Sequence, residues 1–497
     1  MGVKLPPWLW KRLTSRRFKR FLIIGPFVLI FGSVLAYVLA DAWGRHRFEV
    51  DVAALKAAGM PVTADEAFGP LPAPEEDFFQ HPAVVGELAQ RDSLEGIGHM
   101  KIPGILDVDA RSKSVPEINP PMDFRKWLAS PRAGASDEQL AGETLLLVHP
   151  LSLRFDAIVD ALQRPRAGWY PGGKPEDLAL SAVSKKAIAV TRWAKFAEDR
   201  VTLELAAGES GSAFLDVRHL LDLEHRFAEA RVTPMSAPAL SLLDNSVRRA
   251  ISEGIARRAW NDGQLAELQA RVGEMDFNKV IITALRVDVA ASIGRVRDAD
   301  ADPGHFRPGI HWLGAAKAFG NGLVHGDGKE MRRSWEIVRP WGLEMAATGD
   351  ELLRLKTEVI DRHTGVAFTV ADCRDSSGAV EEPMLRWIDL GSSRNSLMLL
   401  SKLVVGEEVK RSLTLTGIAL ERYRLKHGAT PESLQAVVPE FLPAVPADPQ
   451  DGKPIRYQRK PGGGADLWSL WPSGQEDGKP NPSKDINTLW TIPNVGP

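Results

Sequence analysis

The feature that most constrains this chain lies near its N-terminus. Residues Phe21 to Ala40, FLIIGPFVLIFGSVLAYVLA, run for twenty positions without a charge. As a helix such a run spans about 30 Å of hydrocarbon, with its backbone groups satisfied internally. Lys4, Lys11, Arg12, Arg16, Arg17, Lys19 and Arg20 precede it, and a cationic flank of this kind stays on the cytoplasmic side. Trp43 follows at the place of the opposite interface. The alternative is a cleaved signal peptide, with Ala40-Asp41-Ala42 as a small-x-small site, but the run is long for one. A buried core helix suits the basic flank least. The reading is a single uncleaved transmembrane helix over 21–40, residues 1–20 inside, and the bulk of the chain outside the cytoplasm.

With 497 residues, 44% hydrophobic and 25% charged, the remainder is long enough for two or three folded domains. A net charge of −2 gives no electrostatic reason to expect nucleic acid as a partner. Cys373 is the single cysteine, which excludes an intrachain disulfide and an all-cysteine zinc site. Its neighbours Asp372, Arg374 and Asp375 offer a setting for a reactive thiol, against the simpler reading of an inert cysteine.

Residues 44–135 begin as charged helical text that stops near Gly59. A proline-rich link follows, then an extended strap in which Pro103, Pro116, Pro120 and Pro121 forbid a long helix. From 136 to 412 the helical period dominates. Leu265, Leu268, Val272 and Met275 mark one apolar face, with Asp262 as cap. Phe214, Val217, Leu220, Leu221 and Phe227 mark another, with Asp216, Arg218, Asp222 and Arg226 on the wet side; Val183, Ala187, Val190, Trp193 and Ala197 mark a third. Short loops between such helices predict an irregular all-α bundle or stack. The glycine-rich stretch 298–332 reads as irregular, residues 335–345 and 350–362 as helices, and 366–370 as a short strand. A long helix from 396 to about 427 leads into a small α+β module over 413–490. Within it, Thr430-Pro431 opens a short helix carrying Leu434, Val437 and Val438 inward. Strands are expected at 455–458 and 466–470, joined through Pro461-Gly462-Gly463-Gly464. Residues 491–497 form a tail. The predicted fold class is therefore mainly α, with one N-terminal transmembrane helix and a small C-terminal α+β module.

Two resemblances arise. LKAAGMPVTADEA with its proline-rich link, ALQRPRAGWYPGG, and GIALERYRLKHGATPESLQAVVPEFLPAVPADPQDGKPIRY occur in the order seen in a group of bacterial membrane-anchored envelope proteins with no assigned activity. That resemblance implies an α-helical extracytoplasmic domain behind one anchor in the cytoplasmic membrane. ERYRLKHGATPESLQAVV, LPAVPADP, DLWSLWPSGQEDG and the later DIN and Trp490 are similar to the globular end of the type II secretion major pseudopilin. There, a helix leads into a small sheet and a calcium-binding loop. The chain departs from that family at its anchor, some 370 residues upstream, where Arg20-Phe21-Leu22-Ile23 lacks the processing glycine and glutamate.

The pseudopilin resemblance nominates Asp485, and Asp477 if the loop folds back, as calcium ligands. Calcium needs six to eight oxygens, and Lys484 opposes the ion, so a plain hydrogen-bonded loop closed by Trp490 is the competing reading. Gly208–Ser212, GESGS, has the outline of a nucleophile elbow around Ser210, but Ser212 replaces the last glycine and the flanks read as helix. A helix-to-helix turn fits better. Asp298, Asp300 and Asp302 open like a calcium loop, yet Pro303 and Gly309 occupy its glycine and glutamate places; an acidic loop is the plainer account. His219 and His225, six apart, do not share a helix face as metal-binding histidines must. Fourteen tryptophans are spread along the chain and read as packing anchors. Trp468 and Trp471, on opposite strand faces, leave one for the long helix and one for a partner. The residues thus point to a non-enzymatic binding or scaffold component of the bacterial envelope, held by the bilayer and engaging an envelope protein. The alternatives are an envelope hydrolase with unidentified carboxylates, or an accessory of a secretion or pilus-like apparatus.

Overall fold

The structure, a computed structural model, describes residues 16–70, 72–89, 136–168, 180–230, 237–301, 340–374, 394–471 and 489–492. It is mainly helical with one small antiparallel sheet. In chain order the helices are α1 (Arg16–Ala57), α2 (Ala64–Phe68), α3 (Pro82–Ala89), α4 (Asp137–Ala161), α5 (Leu180–Ala206), α6 (Ser210–Glu229), α7 (Ala237–Ala256), α8 (Asp262–Glu274), α9 (Phe277–Ala301), α10 (Trp341–Arg354), α11 (Val370–Arg374) and α12 (Arg394–His427). The strands β1 (Arg456–Arg459), β2 (Ala465–Trp468) and β3 (Leu489–Ile492) follow. The chain forms two compact units. One comprises Met1–Val62, Ser292–Val359 and Val380–Leu390; the other Thr63–Ala291, Ile360–Ala379 and Gly391–Pro497.

In the first unit, α1 is continuous from the apolar run into the charged text beyond it, so no break falls at residue 44. Gly59, at φ +75°, ends it, as the sequence predicts. Phe27, Phe31, Val34, Leu35, Val38 and Leu39 are all more than half exposed, and Phe48, Val52 and Leu55 are buried. Among the described residues no helix is long and apolar enough to cross a membrane; the side chains of 16–26 lie outside that description. α10 packs along the C-terminal half of α1. The two run parallel, since Gly342 meets Asp41 and Gly349 meets Asp51. Their approach is backbone to backbone. A Cβ on Gly342 would sit 1.9 Å from the Asp41 carbonyl oxygen, and one on Gly44 2.0 Å from that of Gly342. Pro340, at the N-cap of α10, offers no capping side chain, so an orphan amide of the first turn needs a foreign acceptor. Asp41 supplies it, accepting from the Gly342 N–H at 2.7 Å.

In the second unit α5 is the hub, packed by α3, α4, α6 and α7. Ala187, Val190, Trp193 and Ala197 are buried, as their spacing predicts. Phe155 of α4 meets Phe196 of α5 with ring centres 5.7 Å apart. α7 packs on α5, α6 and α12, and α12 packs in turn on α8 and the sheet. The cap of α8 is Asn261, one residue before the predicted Asp262, in a reciprocal capping box with Gln264. Gly208–Ser212 is a helix-to-helix turn, and Ser210 opens α6. Asp298 and Asp300 belong to the last turn of α9, not to an acidic loop, because the helical period outlasts the apolar text; Asp302 lies outside the described residues. The predicted strand at 366–370 is absent: a turn at Gly365, φ +78°, leads into α11.

α12 runs unbroken through the expected boundary at 412. Leu434 and Val437 point inward from a short 3₁₀ turn, and Val438 is half-buried. β1 and β2 pair antiparallel, Arg456 opposite Trp468 and Arg459 opposite Ala465, and β3 completes the sheet on the far side of β2. Gly462 and Gly463, both near φ +88°, make the turn between β1 and β2, a conformation closed to residues with a Cβ. Trp468 and Trp471 are both buried. The expectation of one tryptophan left for a partner is corrected, because the strand ends at Trp468 and the alternation of faces does not extend to Trp471. Asp477 and Asp485 lie outside the described residues.

Candidate functional site

The chemistry-bearing groups of the second unit are inside it, on α5, α6, α7 and α12. On α5, Lys195, Glu198, Asp199, Arg200 and Glu204 lie around the flank away from the apolar face of Val190, Ala194, Ala197 and Val201. Glu198, Asp199, Arg200 and Glu204 are nonetheless buried beneath the helices packed on α5, so each must be paired or neutralised.

The first cluster forms around Arg200. Its guanidinium lies 5.0 Å from the centre of the Phe155 ring. It donates through Nε and Nη2 to the two oxygens of Asp216 on α6, and through Nη1 to Asp156 on α4 at 2.8 Å. Such a bidentate pair fixes both side chains. Asp216 is therefore buried, 3% exposed, where its charged neighbours suggest a wet face. Glu204, one turn along α5, lies 3.9 Å from Arg200 Nε. Burial, and then the negative charge of Asp216, push its pKa up to about 9. At neutral pH Glu204 holds a proton.

The second cluster lies where α6, α7 and α12 meet. Glu224, Asp244 and Glu407 are 2%, 6% and 2% exposed. Glu407 accepts from Ser241 Oγ, and from Lys410 Nζ at 2.8 Å. Arg248 Nε lies 3.6 Å from Asp244. Burial raises Glu224 and Asp244 well above the carboxylate range, reinforced in Glu224 by the charges of Asp244 and Glu407 and in Asp244 by that of Glu407. A third, smaller group joins Lys195 to Asp199 at 2.5 Å and to Glu198 at 3.4 Å, while Ser246 donates to Glu198 at 3.0 Å. No trio of histidine, cysteine or carboxylate side chains among the described residues is arranged to hold a metal ion.

Such clusters can store a proton, and a carboxylic acid that stays protonated at neutral pH, as Glu204 does, can serve as a general acid. Of the residues singled out in the sequence, Ser210 stands at the turn between the helices bearing Glu204 and Asp216, without a histidine brought to it among the described residues. His219 Nδ1 lies 3.6 Å from Asp216, and His225 Nδ1 3.9 Å from Glu274. Cys373 is buried, its Sγ 3.5 Å from the Thr369 carbonyl oxygen. Nearby, His363 stacks on Phe368 and approaches Asp372 at 3.5 Å. Periodicity did not reveal Glu204, Asp216, Glu224, Asp244 or Glu407, because a charged residue in amphipathic text reads as outward-facing. α5 gives no periodic signal either, because its buried charges lie away from its apolar face, where wet residues are expected. No family model, curated protein or solved structure matches the chain.

Proposed function

We propose that the protein is a single-pass, membrane-anchored component of the bacterial envelope, with a helical body outside the cytoplasm that acts by binding rather than by catalysis. The observation that carries this reading is the place of Asp41. A signal peptide cut within Ala40-Asp41-Ala42 would sever α1 mid-helix and remove the carboxylate that caps α10 and pairs with Arg45 at 2.8 Å. An uncleaved α1 keeps the apolar run, with its exposed phenylalanines, valines and leucines, joined to the folded body. Burial of the carboxylate clusters between helices suits a scaffold, whose charges specify packing. Crosslinking in intact membranes followed by isolation tests the binding role. The expected result is one envelope protein retained under several detergents; only abundant, detergent-dependent background contradicts it.

The Glu204–Asp216 pair supports a second reading, an envelope hydrolase acting on cell-wall sugars by general acid catalysis. It predicts hydrolysis of cell-wall glycan by the purified chain that E204Q abolishes. Equal activity of E204Q and wild type removes it. The similarity of residues 413–490 to a pseudopilin end-module supports the further possibility of a secretion accessory.

A further inference from the structure

We infer that the exposed face of α4 is a docking surface for a cationic amphipathic helix of an envelope partner. The inference rests on the binding role proposed above. A surface helix sets apolar residues on one side and polar ones on the other. α4 departs from this in its middle turns. Val148 and Phe155 are buried against its neighbours. Leu146, Pro150 and Leu153 stand on the opposite side of the helix, within about 60° of one another. Leu146 is 78% and Leu153 57% exposed, with Pro150 exposed between them. Leu147, 44% exposed, widens the stripe. A helix that is apolar on both faces is one made to be covered on both. Pro150 adds a polar feature at the centre of the stripe. It has no N–H, so the Leu146 carbonyl oxygen lacks its helical donor.

Charge decides what kind of partner fits. Glu143 borders the stripe on one side, Asp156 and Asp160 on the other, and all three are exposed. α4 carries no lysine, and its one arginine, Arg154, is held by both oxygens of Glu87 at 2.7 Å. Asp156 also accepts from Arg200. An apolar stripe with an acidic border complements a helix with apolar residues three and four apart and Lys or Arg at their flanks. Two copies of this chain laid stripe to stripe bring acid to acid in either direction. An anionic headgroup layer meets the same repulsion.

The test is photocrosslinking of the full chain in intact membranes, with Leu153→p-benzoylphenylalanine, or Leu146→p-benzoylphenylalanine if the first fails to fold. Leu242→p-benzoylphenylalanine, on the exposed side of α7, is the control, and each adduct is sequenced. The expected adduct from α4 is a second envelope protein, joined through a segment with helical apolar spacing and Lys or Arg flanks. E143K–D160K, with an unchanged melt, should lower its yield about tenfold. An adduct with lipid, with a second copy, or with another segment of the same chain overturns the inference. So does an adduct whose yield ignores the charge reversal. A partner captured from Leu242 and not from α4 overturns the docking face while leaving the binding role intact. No protein adduct from either helix overturns both.

Discussion

At the scale of single residues, the protein keeps its unusual groups inside. Glu204 has a folded-state pKa raised to about 9 by burial and by Asp216, against about 4.3 in an unfolded chain. A raised pKa means that the folded state binds the extra proton. The stabilisation it brings is complete below the unfolded value and is lost as pH rises through the folded one. The denaturation midpoint of the full chain in detergent is therefore expected to fall between about pH 4 and pH 9, and E204Q should flatten that slope; an unchanged slope would show that Glu204 does not titrate as described. D216N removes one partner of the buried Arg200 pair and is expected to cost about 3–5 kcal/mol at pH 7. It also takes away the charge that raises Glu204, so its residual pH slope should be shallower than that of wild type. A calorimetric or denaturant series that places D216N within 0.5 kcal/mol of wild type, on the order of a surface change, contradicts the pairing. Neither residue was legible as buried. Asp216 stands among Arg218, Asp222 and Arg226, and no periodic rule separates a carboxylate that faces water from one that faces an arginine on the next helix.

At the scale of elements, apolar spacing located most helices, because burial of one face is what the period records. The faces on α5, α6 and α8 agree with the buried residues, and the glycines at 59 and 428 end their helices at positive φ. The helix across residue 412 was legible, expected from 396 to about 427 and observed from Arg394 to His427. What the text did not carry was the joining of α1 across residue 44, where the composition changes at Gly44 and the helix continues. The α1–α10 contact likewise depends on two glycines 298 positions apart, which no local signal links. It makes a sharp prediction. G342A places a methyl group 1.9 Å from the Asp41 carbonyl oxygen, where only backbone movement can relieve the clash, and overpacking of this kind costs about 1–3 kcal/mol. Hydrogen exchange should quicken in α10 and the C-terminal half of α1, and leave α5–α8 unchanged; uniform quickening would contradict a local contact. Calcium at Asp477 and Asp485, if bound, would raise the melting temperature with excess ion and lower it with chelator. A melt insensitive to both favours the plain loop.

At the scale of the whole molecule, the apolar run proposed as an anchor and the packed part of the first unit belong to one continuous helix, α1. The joint between them is structural: Asp41, Gly44, Arg45 and Arg47 all serve the packing of the first unit. On the proposed membrane reading the chain keeps residues 21–40, whereas an exported soluble protein would lose them. Intact mass of the mature chain, purified from membranes, tests this most directly. The account predicts a mass that includes residues 21–40, in a protein released from the bilayer only by detergent. A mature chain that begins near Trp43 and leaves the membrane without detergent would contradict it.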